Sequence, residues 1–347
     1  MNGKYMFSLL AIFVLFLLPY VGVTAFGLKT LFGIFIPLIA LTIFIIGFVR
    51  RIKGWSESPV PFRIPTTCGQ QKSLTWIESS PIDNPTTKAG VVVRMILEVM
   101  LFRSLFRNLK FKRESNGILS YSWELWLWLG ALAFHWAFLV TIVRHLRFFA
   151  EPIPYFVRAL EFFDSFFRVE FFTDAFQVGL PGIYMSGIVL LAAAIYLLAR
   201  RILLAQVRYV SLAADYFPLF LIIGIAVSGI MMRYASKVDI VGIKAFTMGL
   251  VTLNPTIPEG VGATFYVHLF FVSVLLIYFP FSKLMHMGGI FMSPTRNLTT
   301  DTRAKHYSNP WNYPVKTHTY EEYEDDYREK MIDAGLPVDK ELAEVKE

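Results

Sequence analysis

Six histidines punctuate the 347 residues of this chain: His135, His145, His268, His286, His306 and His318. An imidazole can move protons near neutral pH or, as a neutral ring, ligate a metal, so the setting of each ring decides its use. His306 and His318 fall in a polar C-terminal stretch and read as solvated side chains. The other four fall within or at the ends of two long apolar runs, the third and sixth of the chain. A polar side chain in such a run is costly and normally has a partner or a function. Two runs carrying two rings each point to a shared chemistry, either proton relay or metal ligation.

The elements that position these rings follow from composition. The chain is 55% hydrophobic and only 17% charged, with a mean hydropathy of +0.52; soluble proteins are nearer 25% charged. About 20 apolar residues span a bilayer as helix, and six stretches qualify: 6–26, 30–49, 121–143, 182–199, 211–232 and 263–285. The first has too long an apolar run for a signal peptide and reads as a retained helix paired with the second. Pro19, Pro37, Pro218 and Pro280 lie inside spans, where neighbouring helices can satisfy the freed carbonyls. With the N-terminus inside, the inner segments carry 25 Lys and Arg and the outer segments 8. That bias predicts a multi-pass protein of the cytoplasmic membrane with both termini cytoplasmic. The net charge of +7 then reads as topology and contact with membrane lipid, not nucleic acid. The expected fold class is an all-α integral membrane protein of six transmembrane helices. No repeat relates the two halves, which argues against an inverted-repeat carrier.

With opposite directions for spans three and six, His145 and His268 lie near the outer end, while His135 is deeper and His286 lies near the inner end. Pairing His145 with His268 and His135 with His286 keeps matching order across the membrane; the crossed pairing would have to bridge about 30 Å at 1.5 Å per residue. Ten residues rise about 15 Å and eighteen about 27 Å, so the pairing needs helix tilt and a wide object between the rings to absorb about 12 Å. Eighteen residues at about 100° each bring His268 and His286 back to the same helix face. Zinc wants three or four ligands at one depth, and a proton relay wants carboxylates, of which only Glu124 is close. Two b-type haems with axial histidines fit best, with His135 and His286 on the inner haem iron and His145 and His268 on the outer one. Gly130, Ala131 and Ala133 would let a macrocycle approach span three, or serve plain helix packing. Arg144, Arg147 and Arg233 flank the outer end and are candidates for haem propionates or quinone oxygens, or for lipid headgroups.

The chain divides into an N-terminal hairpin (1–49), a loop (50–120), a haem-binding bundle (121–287) and a tail (288–347). Within the loop, 89–113 carries Arg94, Arg103, Arg107 and Lys110 at near-helical spacing and predicts an amphipathic helix in the headgroup region. Residues 154–178, with Asp164, Arg168 and Asp174, predict an interfacial segment on the other face. The tail, rich in Tyr and acid (EEYEDDYREK), is too poor in apolar residues for a core of its own and reads as an extended arm that docks a partner. Cys68 is the only cysteine. It reads as structural, and any iron–sulfur chemistry must come from another chain.

Spacings of ten and eighteen on the second and last helices of a five-helix core resemble the dihaem cytochrome b subunit of respiratory nitrate reductase, which implies that 30–49 joins 121–287 in such a core and leaves one extra N-terminal helix. The stretches VPFRIPTTCGQQKSLTWI (Val60–Ile77) and HMGGIFMSPTRNL (His286–Leu298) resemble the DsrM membrane cytochromes of DsrMKJOP complexes, with the membrane subunit of heterodisulfide reductase a close cousin. The resemblance implies electron exchange with menaquinone, a DsrK-like iron–sulfur partner on the cytoplasmic face, further DsrJOP-like subunits and a terminal acceptor in the trisulfide of DsrC. The chain would carry electrons and leave bond-making chemistry to its partner. Two readings of other classes stay open: a proton-coupled transporter and a haem-free anchor.

Overall fold

A computed structural model of the chain describes residues 3–58, 72, 74, 76–166, 169–173, 176–180, 182–236, 238–301 and 317–340. Cys68, His306, Arg168, Asp174 and most of Val60–Ile77 lie outside these. Among the described residues, six helices are long and apolar enough to cross a membrane: α1 (Gly3–Thr24), α2 (Ile36–Ser56, entered through a π-turn at Leu31–Phe35), α5 (Leu125–His145), α7 (Met185–Leu203), α9 (Ala213–Tyr234) and α11 (Ala263–Tyr278). The intervening α3 (Lys88–Leu101), α4 (Arg103–Phe106), α6 (Tyr155–Asp164), α8 (Ala205–Val210) and α10 (Ile240–Val251), with α12 (His286–Gly289) and α13 (Tyr320–Asp333), are shorter. The strands β1 (Leu109–Arg113), β2 (Leu119–Trp123), β3 (Ser165–Phe166), β4 (Val169–Thr173), β5 (Phe176–Leu180) and β6 (Ile183–Tyr184) form only two-stranded pairs. The fold is a multi-pass helical membrane architecture.

An even number of spans puts α1's start and α11's end at one end of the bundle, here the terminal face; the other is the loop face. α11 is central and packs on α1, α2 and α9, while α5 packs on α7 and α7 on α9. Phe246, Phe265, Tyr266 and Phe270 fill the core around α11, where Gly33 lets the π-turn approach; a Cβ there would stand 3.2 Å from the Tyr266 ring. α1 belongs to this packing, with Ser8 Oγ donating to Ala213 O (3.0 Å) and Lys4 Nζ to Ser211 O (3.0 Å).

Four segments differ from the sequence expectation. The helix predicted over 89–113 ends at Leu101, because Phe102 takes left-handed backbone (φ 51°, ψ 47°) and starts α4. Residues 109–113 instead pair in register with 119–123 as a hairpin turned at Gly117 (φ 83°), so span three begins at Leu125 and not at 121. Span six is not continuous to 285. Pro280 cannot donate a backbone hydrogen bond, Ser282 is extended (φ −119°, ψ 177°), and its hydroxyl caps a fresh turn by accepting from Leu284 N. The segment 154–178 is α6 followed by short strand pairs. Within the tail, 320–333 is helical: Thr319 and Glu322 form a reciprocal capping box, and Glu324 accepts from Asp339 N and Lys340 N (2.8 Å each) and from Arg328.

Candidate functional site

α5 carries His135 and His145, one in mid-helix and one at its last residue; α11 carries His268, and His286 opens α12. α7 and α9 stand between α5 and α11 in the packing order, yet the four rings reach toward one another across the bundle. His135 and His286 have ring centres 5.9 Å apart, nearly perpendicular at 83°. His145 and His268 have ring centres 6.5 Å apart, close to parallel at 14°. The placement of His286 does not come from a shared helix face with His268. It comes from the break at Ser282, which carries it off the helix axis.

Each ring spends one nitrogen on the protein. His135 Nδ1 donates to Ala131 O (2.8 Å), His145 Nδ1 to Thr141 O (2.6 Å) and His286 Nδ1 to Lys283 O (2.8 Å). A carbonyl only accepts, so these Nδ1 atoms carry the proton and leave Nε2 with a lone pair. His268 differs in using a side chain, Ser228 Oγ at 2.9 Å. Ser228 directs its own hydrogen at Gly224 O (2.8 Å) or Ile225 O (3.0 Å), so it too accepts from Nδ1. Beside it, a Cβ on Gly229 would meet His268 Cε1 at 3.3 Å; the glycine leaves the ring its space. Sequence spacing marks neither Ser228 nor Gly229, although a polar residue inside an apolar span is a signal that could have found the serine.

Two imidazoles sharing one metal ion at about 2.0 Å per bond hold their ring centres about 6 Å apart. Both pairs meet that spacing with Nε2 available, and both have the outer hydrogen bond that metal-bound histidines use to fix tautomer and orientation. Among the described residues no three His, Cys, Asp or Glu side chains gather as a metal site. The donor sets are pairs, as axial ligation of a haem requires. The surroundings are apolar and aromatic: Phe102 and Phe134 pack edge-on against His135 at 4.9 and 5.1 Å, and Phe148 lies 5.9 Å from His145. Gly130 has another use, since a Cβ there would stand 2.5 Å from the Tyr196 ring; it serves the packing of α5 on α7.

The three arginines of the loop face are differently placed. Arg144 is buried, pairs with Asp164 (2.9 Å) and lies over the Tyr184 ring at 3.7 Å. Arg147 pairs with Glu161 (2.6 Å). Arg233 lies 4.4 Å from the centre of the same Tyr184 ring, and its Nε has no hydrogen-bond partner among the described residues. Asp164 also accepts from Ser186 N and Ser186 Oγ (2.7 Å each), tying α6 to the start of α7.

The family model of the nitrate reductase gamma subunit matches residues 91–302, a stretch that contains all four paired histidines. The chain belongs to this family. It is 42% identical over 288 residues to a protein of Archaeoglobus fulgidus named as an Hdr-like menaquinol oxidoreductase cytochrome b-like subunit, covering 81% of this chain and 83% of the relative. It is 41% identical over 284 residues to a protein of the same name in Archaeoglobus profundus, covering 80% and 81%. Most of α3 and the β1–β2 hairpin lie within the gamma-subunit match together with α5, α7, α9 and α11, so the family pattern includes terminal-face segments and not the spans alone.

Proposed function

We propose that this chain is a dihaem b-type cytochrome that carries electrons between menaquinol and an iron–sulfur partner. The observation that carries the reading is the two histidine pairs, at 5.9 and 6.5 Å, each with Nδ1 engaged and Nε2 available. His135 and His286 would hold the inner haem and His145 and His268 the outer; when bound, such a group supplies one-electron transfer through the iron. The protein's part is to set ring orientation through Ala131, Thr141, Lys283 and Ser228, and to line the space with aromatic side chains. Menaquinol as the diffusible donor follows the names of the archaeal relatives. The loop face would be external and the terminal face cytoplasmic, in keeping with 25 cations against 8.

On the loop face, Arg144 and Arg147 already have carboxylate partners. Arg233 is therefore the better candidate of the three for a haem propionate or a quinone oxygen. On the terminal face, the loop over 50–120 and the tail would receive the partner. A DsrK-like subunit, DsrJOP-like companions and DsrC trisulfide as final acceptor form the finer proposal, and a heterodisulfide reductase-type complex is the neighbouring one.

Reduced-minus-oxidised difference spectra with pyridine haemochrome quantification test the reading: two b haems per chain are expected, and a purified chain without haem overturns it. His135→Ala and His286→Ala should each remove the same haem and spare the other. Loss of different haems would overturn the pairing.

A further inference from the structure

Helix α3 has its polarity reversed. Its charged residues Arg94 and Glu98 are buried, at 5% and 8% exposure, while Val92, Val93, Ile96 and Met100 face outward, Ile96 at 55%. Glu98 is held inside by Ser104 N (3.0 Å), Ser104 Oγ (2.7 Å) and Arg296 Nε (3.1 Å). A surface helix in water does the opposite, turning its apolar stripe to the core and its charges to solvent. An outward apolar face with inward charges is the arrangement a helix adopts when its surroundings are lipid.

The way α3 ends points to the same surroundings. The last carbonyls of a helix lack partners within it and in water are satisfied by solvent; in hydrocarbon the protein must satisfy them. Here Trp128 Nε1 donates to Leu101 O (2.7 Å) and Trp136 Nε1 to Met100 O (3.1 Å). Phe102 N donates to Glu98 O and Leu97 O. Both indoles belong to α5, and Trp136 stands about 16 Å along that helix from its first residue at 1.5 Å per residue. The C-terminal end of α3 therefore lies beside the apolar body of a spanning helix, not beyond its end. α5 itself exposes apolar side chains, including Leu129 and Leu139.

We propose that α3 is set into the terminal-face leaflet, dipping from its N-terminus at Lys88 toward Leu101, with acyl chains covering Val92, Val93, Ile96 and Met100. The stripe carries no charge to meet a polar protein surface, which is why lipid and not a partner subunit is its occupant. This placement holds Phe102, in left-handed backbone, with its ring edge-on to His135 at 4.9 Å. Lipid outside and Phe102 inside together screen the His135–His286 pair from water on that side.

The test does not depend on haem. In full-length protein carrying Cys68→Ser, single spin labels are placed through Val92→Cys, Ile96→Cys, Met100→Cys and, as a water-facing control in the hairpin turn, Asn116→Cys. The protein is reconstituted in phosphatidylcholine–phosphatidylglycerol vesicles, and unchanged thermal melting certifies the fold of each. Oxygen should relax the three α3 labels at least several-fold more than a water-soluble nickel chelate does, with depth increasing from 92 to 100 and the reverse preference at 116. Nickel access at 96 equal to that at 116 would overturn the proposal. Labels in native membranes of the whole complex that neither reagent reaches would overturn it too, in favour of a protein partner. Three α3 positions are read separately, so loss of one variant leaves the result decidable.

Discussion

A ligating imidazole is tuned by what its far nitrogen touches, because the acceptor there fixes the tautomer and raises the basicity of the ligating nitrogen. Three of the four paired histidines use backbone carbonyls, which substitution cannot remove. His268 uses Ser228, which it can. Ser228→Ala removes the hydroxyl partner of His268 and leaves only the Ile225 carbonyl beside it, and loss of such an outer partner costs about 10–100-fold in metal affinity. On the proposed dihaem reading, the expected outcome is a haem lost preferentially from the His145–His268 pair, with a shifted midpoint potential in what remains and the other haem unchanged; redox-titrated difference spectra read both. Ser228→Thr keeps the hydroxyl and should restore the outer haem. At Gly130 the chemistry is packing alone: a Cβ 2.5 Å from the Tyr196 ring forces α5 away from α7. Gly130→Ala should cost about 1–3 kcal/mol, read as a lower thermal midpoint, and Gly130→Ala with Tyr196→Leu should recover most of it.

Between elements, the terminal-face segments are held by ion pairs around Asp83 and Glu98. Asp83 receives Arg103 (3.2 Å) and Arg107. Partial burial alone would raise its carboxyl, but the two guanidiniums outweigh that and hold it below the usual carboxylate range. A group whose folded value is depressed stabilises above its unfolded value, near 3.9, and loses that stabilisation as pH falls through the folded one. Protection of the amides across 76–106, taken relative to their intrinsic exchange rates at each pH, should therefore be high at neutral pH and fall below about pH 4. Asp83→Asn should show the lower protection already at neutral pH with little further change on acidification. The six spans were legible in sequence because a run of about 20 apolar residues has no other common use; each overlaps its helix, although α2 runs on past 49 to Ser56 and α11 stops at Tyr278, short of 285. The ends of α3 and of span six were not. Phe102 carries no local signal for left-handed backbone and takes it because indoles from α5 and the Glu98 network fix both sides of it. Ser282 breaks span six beside Pro280 and Lys283, local signals that a count of apolar residues over 263–285 passes over. His135 and His286 were legible as polar residues in apolar surroundings; Ser228 carries the same signal, but a hydroxyl that apolar helices often turn onto their own carbonyls does not by itself name a partner.

Across the whole molecule the two faces are built differently. The loop face concentrates Arg144, Arg147 and Arg233 with Asp164 and Glu161 around Tyr184 and the His145–His268 pair. The terminal face surrounds His135 and His286 with α3, α4, the β1–β2 hairpin and the segment 293–301, which is tied back through Arg296 to Glu98 and through Thr300 N to Pro85 O (2.7 Å). If quinol meets the chain at the loop face and the acceptor at the terminal face, the two pairs act in series and damage to one has a polarity. His286→Ala should leave the His145–His268 haem reducible by a soluble menaquinol analogue at close to the parent rate. Electron delivery to an acceptor on the terminal face should fall by at least tenfold. His268→Ala should do the reverse: poor reduction by the quinol analogue, while dithionite still reduces the remaining haem. Stopped-flow spectra of the two variants in inverted and right-side-out vesicles separate the cases, because a water-soluble reductant reaches only the exposed face. Equal loss of quinol reduction in both variants would place the quinol site at neither end and sink the series arrangement, while leaving the histidine pairs themselves to the haem count.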